Sequence, residues 1–541
     1  MSARTLMVQG TASSAGKSLM VTALCRLFAR QGLRVAPFKS QNMALNAYVT
    51  PDGGEIGRAQ AVQAEAAGAP LTVDMNPILL KPEGNHRSQV VVLGKATGSL
   101  SAAEYHARKR ELSAIVAASL QRLRAAYDLV IIEGAGSPAE INLNDREIVN
   151  MHVARLADAP VLLVGDIDRG GVFAALVGTM ELIDAADRAR VAGFIINKFR
   201  GDLSLLESGL RALTARTGVP VLGVVPYIDR LAIADEDSLS LDDRRRVHAA
   251  ADRAAPAPAP AAAPPVTVAV IRLPRISNHD EFLPLELEPG VRLRFVDDPA
   301  EVRAADLVIL PGSKSTVSDL AWLREHGLAG AIAVRAGRGA PVLGICGGCQ
   351  MLGLAIDDPE GVESAERSVP GLGLLPFRTR FRREKTVAQV RARPLTPSFL
   401  DTGLPAETLL AGYEIHAGVL EPLAGARPAY RLCQRNERSS DSDDGAVDRD
   451  GVVVGTLIHG LLENAALRAA LVANFRARIT GTAGDSVDSV DSVNSVTTNR
   501  SVVTDRATAY DQLADVVRRS LDWSLLRRIV GLREDHESRG A

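Results

Sequence analysis

The sequence has few cysteines and few aromatic residues. It also has no large excess of positive or negative charge and no long apolar run. The chain has 541 residues but only 4 cysteines, too few for a disulfide framework at this length. Lys plus Arg total 62 against 64 Asp plus Glu, so the net charge of -2 gives no reason to expect nucleic acid or an anionic membrane as a partner. No apolar run approaches the roughly 18 residues of a spanning helix. The start, MSARTLMVQGT, lacks the apolar segment of a signal peptide, and we therefore expect a cytoplasmic protein.

Apolar residues make up 46% of the chain, a fraction typical of globular proteins, and they recur in a regular order along the sequence. Residues 1–250 alternate short continuous apolar runs, such as LVII at 129–132, with amphipathic helical stretches. Continuous runs suit strands that are buried on both faces of a parallel sheet. The alternation therefore predicts a doubly wound α/β domain.

A Pro/Ala tract at residues 251–265, ADRAAPAPAPAAAPP, interrupts the alternation and predicts a semi-rigid linker. The strand and helix pattern resumes over residues 266–541, which predicts a second doubly wound α/β domain. Within it, a repeated Asp-Ser-Val triplet predicts a disordered insertion at about residues 482–505. Residues 506–533 return to helical spacing, and we expect these helices to pack on the second domain.

A glycine-rich loop, GTASSAGKS at residues 10–18, lies between a predicted strand and a predicted helix. Backbone N–H groups in such a loop cradle phosphate oxygens at the helix N-terminus, and here they include those of Gly10, Thr11 and Gly16. Lys17 would reach the β- and γ-phosphates of ATP, and the Ser18 hydroxyl would ligate Mg²⁺. The alternative is an ordinary Gly/Ser turn with a surface lysine.

Polar residues that suit a nucleotide site follow three further predicted strands. Glu133 and Asp166 both stand at carboxyl ends of strands, where open α/β sheets bind ligands. Glu133 is the preferred Mg²⁺ ligand and Asp166 the second candidate, although Asp166 or Asp168 could instead cap the following turn. Asn197 suits recognition of the ATP base.

The segment GICGGCQ at residues 344–350 lies between another predicted strand and helix. Such a turn presents a nucleophile at a helix N-terminus, where a thiolate is stabilised. The pattern G-x-C-x-G-x-Q fits Cys346 as the nucleophile and leaves Cys349 without a role. A redox pair or half of a zinc site, formed by both cysteines, is the alternative. Cys25 and Cys433 are isolated and offer no second pair of zinc ligands.

A thiolate nucleophile needs a base, and the segment GTLIHG places His459 after a predicted strand. Gly312 follows another strand, where its N–H and that of Gly347 could form an oxyanion hole. Glu414 and His416 alternate on a strand and could face one site, or they could be a satisfied pair at a domain boundary. His459 is the preferred base.

The motifs of both halves resemble those of known enzymes. The loop and the segment EGAG at 133–136 resemble the dethiobiotin synthetase branch of P-loop enzymes, which phosphorylate a carboxylate or carbamate. The segments of Gly312, Cys346 and His459 resemble the class I glutamine amidotransferases, which release ammonia from glutamine through a thioester. That class usually has Glu two residues after the histidine, where this chain has Leu461. We therefore expect His459 to be oriented in another way.

Taken along nearly the whole chain, the motifs resemble the cobyric acid synthase family. The segment PFKSQNMALN at residues 37–46 is part of that resemblance, and its Lys39, Gln41, Asn42 and Asn46 suit a polycarboxylate substrate. A solvated loop is the alternative for this segment. The resemblance implies ATP, Mg²⁺ and glutamine as ligands, a corrinoid as partner, and no cobalt bound by the protein itself. A homo-oligomer is possible.

The activity that the resemblance implies is a glutamine-hydrolysing, amide-forming ligation in cobalamin biosynthesis. Its expected form is the amidation of four carboxylates (b, d, e and g) of adenosylcobyrinic acid a,c-diamide through acyl phosphates. Two alternatives stay open: a cobyrinic or hydrogenobyrinic acid a,c-diamide synthase, and an ATP-driven switch with a degenerate amidotransferase domain.

Overall fold

The computed structural model describes residues 2–84, 86–228, 231–233, 264–480 and 506–532. These fall into two compact units. The first holds the described residues of Met1–Ala44, Ile56–Glu236 and Asp505–Ala541, and the second those of Leu45–Glu55 and Asp237–Thr504. Residues 251–263 of the predicted linker and the predicted insertion at about 482–505 lie outside the described residues. No helix in the described ranges is long and apolar enough to cross a membrane.

Strands and helices alternate through the first part of the chain. They are β1 (Arg4–Gly10), α1 (Lys17–Arg30), β2 (Val35–Phe38), β3 (Gln41–Met43), β4 (Ala47–Val49), β5 (Glu55–Gly57), α2 (Arg58–Ala67), β6 (Ile78–Gly84), β7 (Arg87–Val92), β8 (Lys95–Ser101), α3 (Ala102–Ala107), α4 (Lys109–Ala126), β9 (Leu129–Glu133), α5 (Met151–Ala157), β10 (Val161–Asp166), α6 (Val172–Leu182), α7 (Ala185–Arg188), β11 (Val191–Phe199), α8 (Glu207–Thr217) and β12 (Val221–Pro226).

Six described strands of the first unit form a parallel sheet in the order β12-β11-β10-β1-β9-β2. Alternate side chains of one strand enter different cores: Leu129 and Ile131 pack on the face of α1, while Val130 and Ile132 pack on the opposite face. This explains the continuous apolar runs, because both faces of the sheet are covered. The predicted doubly wound domain is confirmed.

The second part of the chain begins with a similar alternation. Its elements are β13 (Val266–Ile271), α9 (Leu283–Glu286), β14 (Val291–Val296), α10 (Pro299–Ala304), β15 (Leu307–Leu310), α11 (Thr316–Glu325), α12 (Leu328–Gly337), β16 (Val342–Ile345), α13 (Gly347–Leu352), β17 (Ala355–Asp357), β18 (Ser368–Pro370), β19 (Phe377–Pro394), β20 (Leu410–Pro422), β21 (Tyr430–Arg435), β22 (Arg438–Asp444), β23 (Ala446–Val447), β24 (Val453–Thr456), β25 (Ile458–His459), α14 (Ala465–Thr480), α15 (Arg506–Ser520) and α16 (Trp523–Val530).

The two larger sheets of the second unit differ in type. The first runs β14-β13-β15-β16-β24-β23 and is parallel except for β23, which confirms the predicted α/β domain. The second is mainly antiparallel, with the path β18-β17-β19-β20-β25; β21 also pairs with β19, and β22 pairs with β21. Sequence analysis did not predict this second sheet. Its long hairpin of β19 and β20 ends beside β25, which carries His459.

Two segments belong to a different unit from the one that the sequence predicted. Helices α15 and α16 complete the first unit, since Leu513 and Leu526 enter the core on the α1 face. Arg26 of α1 also pairs with Asp511 of α15 at 2.8 Å. The prediction that residues 506–533 pack on the second domain is therefore wrong. Residues 45–55, predicted within the 1–250 domain, lie in the second unit.

Candidate active sites

The glycine-rich loop of the first unit crosses the carboxyl edge of the sheet between β1 and α1. The N–H of Thr11 donates to the carbonyl of Val164 at 2.9 Å. Asn197 Nδ2 donates to the carbonyl of Ala15 at 3.0 Å, so the loop is tied to β10 and β11. Gly16 has a φ of +96°, and a Cβ there would lie 2.1 Å from Asn197 Nδ2. Asn197 thus supports the loop itself.

Lys17 is buried at the start of α1 and folds back over the loop. Its Nζ donates to the carbonyls of Ala12 at 3.0 Å and Gly136 at 3.2 Å. A Cβ on Gly10 would lie 3.1 Å from Lys17 Cγ, so a side chain at position 10 would crowd the aliphatic part of Lys17. The ammonium group is held within the loop, as expected of a residue that contacts bound phosphate.

Glu133 collects three donors at the end of β9. Ser18 Oγ donates to its Oε1 at 2.9 Å, and Lys39 Nζ donates to the same oxygen at 2.8 Å. Gln63 Nε2 donates to Oε2 at 2.5 Å. The Glu133 side chain is fully buried, so these bonds compensate the cost of burying its charge. Ser18 and Glu133 offer neighbouring hard oxygen atoms, the donor type that Mg²⁺ prefers.

Asp166, the second candidate for Mg²⁺, has other partners. Lys198 Nζ donates to its Oδ2 at 2.9 Å, and the N–H of Asp168 donates to its Oδ1 at 2.9 Å. The second bond is the turn cap that the sequence left open as an alternative. In the described ranges, no group of three or more His, Cys, Asp and Glu side chains could hold a metal ion. The preference for Ser18 and Glu133 over Asp166 as Mg²⁺ ligands stays a prediction.

Three of the four predicted substrate residues lie near one another in the first unit. Asn42 Nδ2 donates to Gln60 Oε1 at 3.1 Å, and the Tyr105 hydroxyl donates to Gln41 Oε1. Lys39 and Asn42 are buried, whereas Gln41 is half-buried. These contacts differ from those of a solvated loop, and Lys39 in addition contacts Glu133.

Asn46, the fourth predicted substrate residue, lies in the second unit. Its Nδ2 is 3.0 Å from His279 Nε2, and its Oδ1 accepts the N–H of His279 at 3.3 Å. The next residue, Ala47, donates its N–H to Asn278 Oδ1 at 2.9 Å. Asn46 therefore braces the short 3-10 helix, His279–Phe282, that carries Glu281.

Cys346 occupies a strained turn between β16 and α13. Its φ of +50° and ψ of −110° are unfavourable for a residue with a side chain. A Cβ on Gly347 would lie 2.8 Å from the nitrogen of Ser313, and one on Gly348 would lie 1.9 Å from the oxygen of Leu310. The glycines are therefore required by close backbone packing. This is the predicted geometry of a nucleophile at a helix N-terminus.

His459 is buried between an acid and an aromatic ring. Its Nδ1 lies 2.9 Å from Glu281 Oε1, and Glu281 Oε2 accepts the N–H of Gly460 at 2.8 Å. The Tyr413 ring stacks on the imidazole with centroids 5.3 Å apart. Because a carboxylate only accepts, Nδ1 carries a proton and the other ring nitrogen is left for Cys346.

Electrostatics distinguish the two neighbouring cysteines. Burial raises the pKa of Cys346, but the charge and hydrogen bond of His459 and the charge of His416 together outweigh it, and the pKa falls below its ordinary value. Burial lowers the pKa of His459, but Glu281 and Cys346 together raise it to about 10. Burial, together with the charges of Asp444 and Cys346, raises the pKa of Cys349 well above the ordinary value. The arrangement favours Cys346 as nucleophile and a thiolate–imidazolium pair with His459.

The two glycines predicted to form an oxyanion hole lie beside this pair. Gly347 is the first residue of α13, where backbone N–H groups have no acceptor within the helix. A Cβ on Gly312 would lie 2.9 Å from His459 Cε1, so its backbone closely approaches the imidazole. The assignment of both N–H groups to an oxyanion stays a prediction.

Glu281 is the site residue that sequence reasoning missed. It precedes Cys346 and His459 in the chain, 178 residues before the histidine, in a segment without a recognised motif. The one feature of the sequence that could have indicated Glu281 is its position soon after β13, a strand of the parallel sheet. Leu461, where the class I enzymes have their acid, is a buried core residue. Glu281 thus supplies from another segment the contact that orients His459.

Two family models match successive parts of the chain. Residues 6–241 match the family described as "CobQ/CobB/MinD/ParA nucleotide binding domain", and residues 267–467 match the "CobB/CobQ-like glutamine amidotransferase domain". These ranges contain the loop with Lys17 and the pair of Cys346 and His459.

Curated relatives cover about nine tenths or more of the chain, and the three that follow are all named cobyric acid synthase. The protein from Sorangium cellulosum is 60% identical over 98% of this chain and 99% of its own length. That from Desulforudis audaxviator is 54% identical, with 89% and 92% covered. That from Dehalococcoides mccartyi strain CBDB1 is 48% identical, with 98% and 99% covered. The chain belongs to the cobyric acid synthase family.

Proposed function

We propose that this enzyme amidates the b, d, e and g carboxylates of adenosylcobyrinic acid a,c-diamide, using ATP and ammonia released from glutamine. The observation that carries the proposal is a buried Cys346–His459–Glu281 arrangement in the same chain as a phosphate-binding loop. The first arrangement suits release of ammonia and the second suits activation of a carboxylate. The names of the relatives support the corrinoid as the substrate.

In the glutaminase reaction, the thiolate of Cys346 attacks the side-chain amide carbon of glutamine. The N–H groups of Gly312 and Gly347 bind the oxyanion that forms. The imidazolium of His459 gives its proton to the leaving nitrogen, and ammonia departs as the thioester forms. Neutral His459 then takes a proton from water, whose oxygen attacks the thioester and releases glutamate. Glu281 keeps the ring in the required tautomer throughout.

In the ligase reaction, a carboxylate oxygen of the corrinoid attacks the γ-phosphorus of ATP, and ADP leaves. Lys17 stabilises the charge on the phosphate oxygens. Mg²⁺, which Ser18 and Glu133 would hold, supplies further charge neutralisation when bound. Ammonia then attacks the acyl phosphate carbon, and phosphate leaves as the amide forms. Lys39, Gln41 and Asn42 would bind the substrate beside this centre.

Replacing glutamine by ammonium salts tests whether the two sites have separate roles in the reaction. We expect Cys346→Ala to abolish amide formation from glutamine but to retain it from ammonium salts, because only the nitrogen supply is lost. Cys349→Ala is the matched control, since its thiol is buried and has a raised pKa. If Cys349→Ala abolishes glutamine use while Cys346→Ala retains it, the assignment of the nucleophile is wrong.

A further inference from the structure

His416, on β20, has both ring nitrogens next to groups that can only accept hydrogen bonds. Its Nδ1 lies 2.8 Å from the carbonyl oxygen of Gly418, and its Nε2 lies 3.3 Å from Glu414 Oε1. A neutral imidazole has only one N–H and could satisfy only one of these acceptors. The ring is buried, so the unsatisfied contact would be costly. The geometry therefore favours the doubly protonated, positively charged ring.

The negative charge of Glu414 is already balanced by another residue. Arg435 Nε donates to Glu414 Oε2 at 2.7 Å, and Arg435 Nη2 donates to Oε1 at 3.0 Å. This two-bond pairing of guanidinium and carboxylate neutralises both groups. The charge on His416 is therefore surplus in the group of three, which carries a net charge of about +1.

The positive charge of His416 is close enough to Cys346 to affect the pKa of its thiol. Cys346 Sγ is 3.6 Å from the carbonyl oxygen of Ile415, the residue before His416. The charge of His416 lowers the pKa of Cys346, and Cys346 in turn raises that of His416, whereas Glu281 acts to raise the pKa of Cys346. The acid that orients His459 thus disfavours the thiolate, and His416 opposes that effect.

We propose that His416 is a positioning residue that keeps its positive charge throughout the glutaminase reaction and stabilises the thiolate of Cys346. It exchanges no proton with the substrate, and His459 remains the acid and base. Glu281, His459, Cys346, His416, Glu414 and Arg435 then carry three negative and three positive charges. This inference rests on the proposed function, in which Cys346 is the nucleophile.

The groups that face His416 define the pH range of a test. Glu414 lies on its own strand, Arg435 on β21, and Cys346 at the start of α13. Asp444, at the end of β22, also interacts with it; burial raises the pKa of Asp444 to about 6. On β19 the residue opposite His416 is the neutral Thr386, and β25 carries His459. Above about pH 7 most Asp444 side chains are charged.

The test is the pH dependence of iodoacetamide alkylation at Cys346, followed by peptide mass spectrometry on the full chain without substrates. We expect His416→Gln to raise the midpoint by about one pH unit, as for loss of a nearby opposite charge. His416→Lys, which retains a positive charge, should restore much of the shift. His326→Gln, at an exposed histidine of the same unit, should leave the midpoint unchanged.

Two results would overturn the proposal: a midpoint equal to the wild type in His416→Gln, or equal shifts in the Gln and Lys variants. Thermal unfolding checks that each variant is folded, and His416→Asn replaces His416→Gln if the latter is not. The test needs no glutamine. A wild-type Cys346 with an ordinary thiol midpoint would contradict the proposed glutaminase instead, so the two failures are distinguishable.

Discussion

The carboxylate of Glu281 accepts hydrogen bonds from two groups: the imidazole of His459 and the backbone N–H of Gly460. Together these bonds fix the ring and the turn that follows β25. The Cys346 and His459 motifs could be found in the sequence because each is a local pattern at the end of a strand. Glu281 could not, because only the folded chain brings its segment against β25. Local sequence patterns therefore predict the position of a reactive side chain, whereas the residue that orients it is set by tertiary contacts.

Replacement of Glu281 by glutamine tests its role directly. We expect Glu281→Gln to lower glutamine-driven amidation by at least about 100-fold, because an amide can present a donor to Nδ1 and favour the wrong tautomer. Amidation from ammonium salts should be unchanged. Release of glutamate, measured at saturating ATP, reports the defect. Glu325→Gln, at an exposed position of the same unit, is the control. Unchanged glutamate release in Glu281→Gln would contradict its orienting role.

At the scale of elements, the parallel sheets were predictable and the antiparallel sheet was not. The strands buried on both faces, such as β9, have continuous apolar runs that distinguish them from helices. β19 instead contains many charged residues, because much of it is exposed, and its pattern gave no strand prediction. Likewise, the spacing in α15 predicts an apolar face but does not specify which core receives it.

The phosphate-binding loop gives an element-scale prediction with a matched pair of glycines. Gly16→Ala should greatly weaken ATP binding, because the methyl group would collide with Asn197 and the φ of +96° disfavours alanine. Gly178→Ala, in α6 with open space around it, should stabilise the fold by about 0.5–1 kcal/mol. Calorimetric titration with ATP and thermal unfolding measure the two effects. Wild-type ATP affinity in Gly16→Ala would contradict the account of the loop.

At the scale of the whole molecule, each unit is assembled from segments that are distant in the sequence. Residues 45–55 belong to the second unit although both flanking segments belong to the first, and α15 and α16 return to the first unit after the second is complete. A division of the chain into successive domains could not show this. The first unit therefore needs the C-terminal helices for a complete core.

Truncation of Leu513, which is fully buried in the α1 core, tests that dependence. Leu513→Ala should destabilise the first unit by about 2–5 kcal/mol through loss of packing. Hydrogen exchange should then accelerate in α1 and α15 and stay unchanged in β13 and β16 of the second unit. Gln512→Ala, at an exposed position of the same helix, is the control. Acceleration confined to the second unit would contradict the assignment.

The proposed coupling of glutamine hydrolysis to corrinoid amidation takes place within one chain. Its most direct test is mass spectrometry of adenosylcobyrinic acid a,c-diamide after incubation with the enzyme, Mg-ATP and glutamine. We expect four successive acid-to-amide mass changes, none without ATP and none with Lys17→Ala. No change on this substrate, but two changes on cobyrinic acid, would instead identify an a,c-diamide synthase. No change on either, with ATP still hydrolysed, would contradict the account.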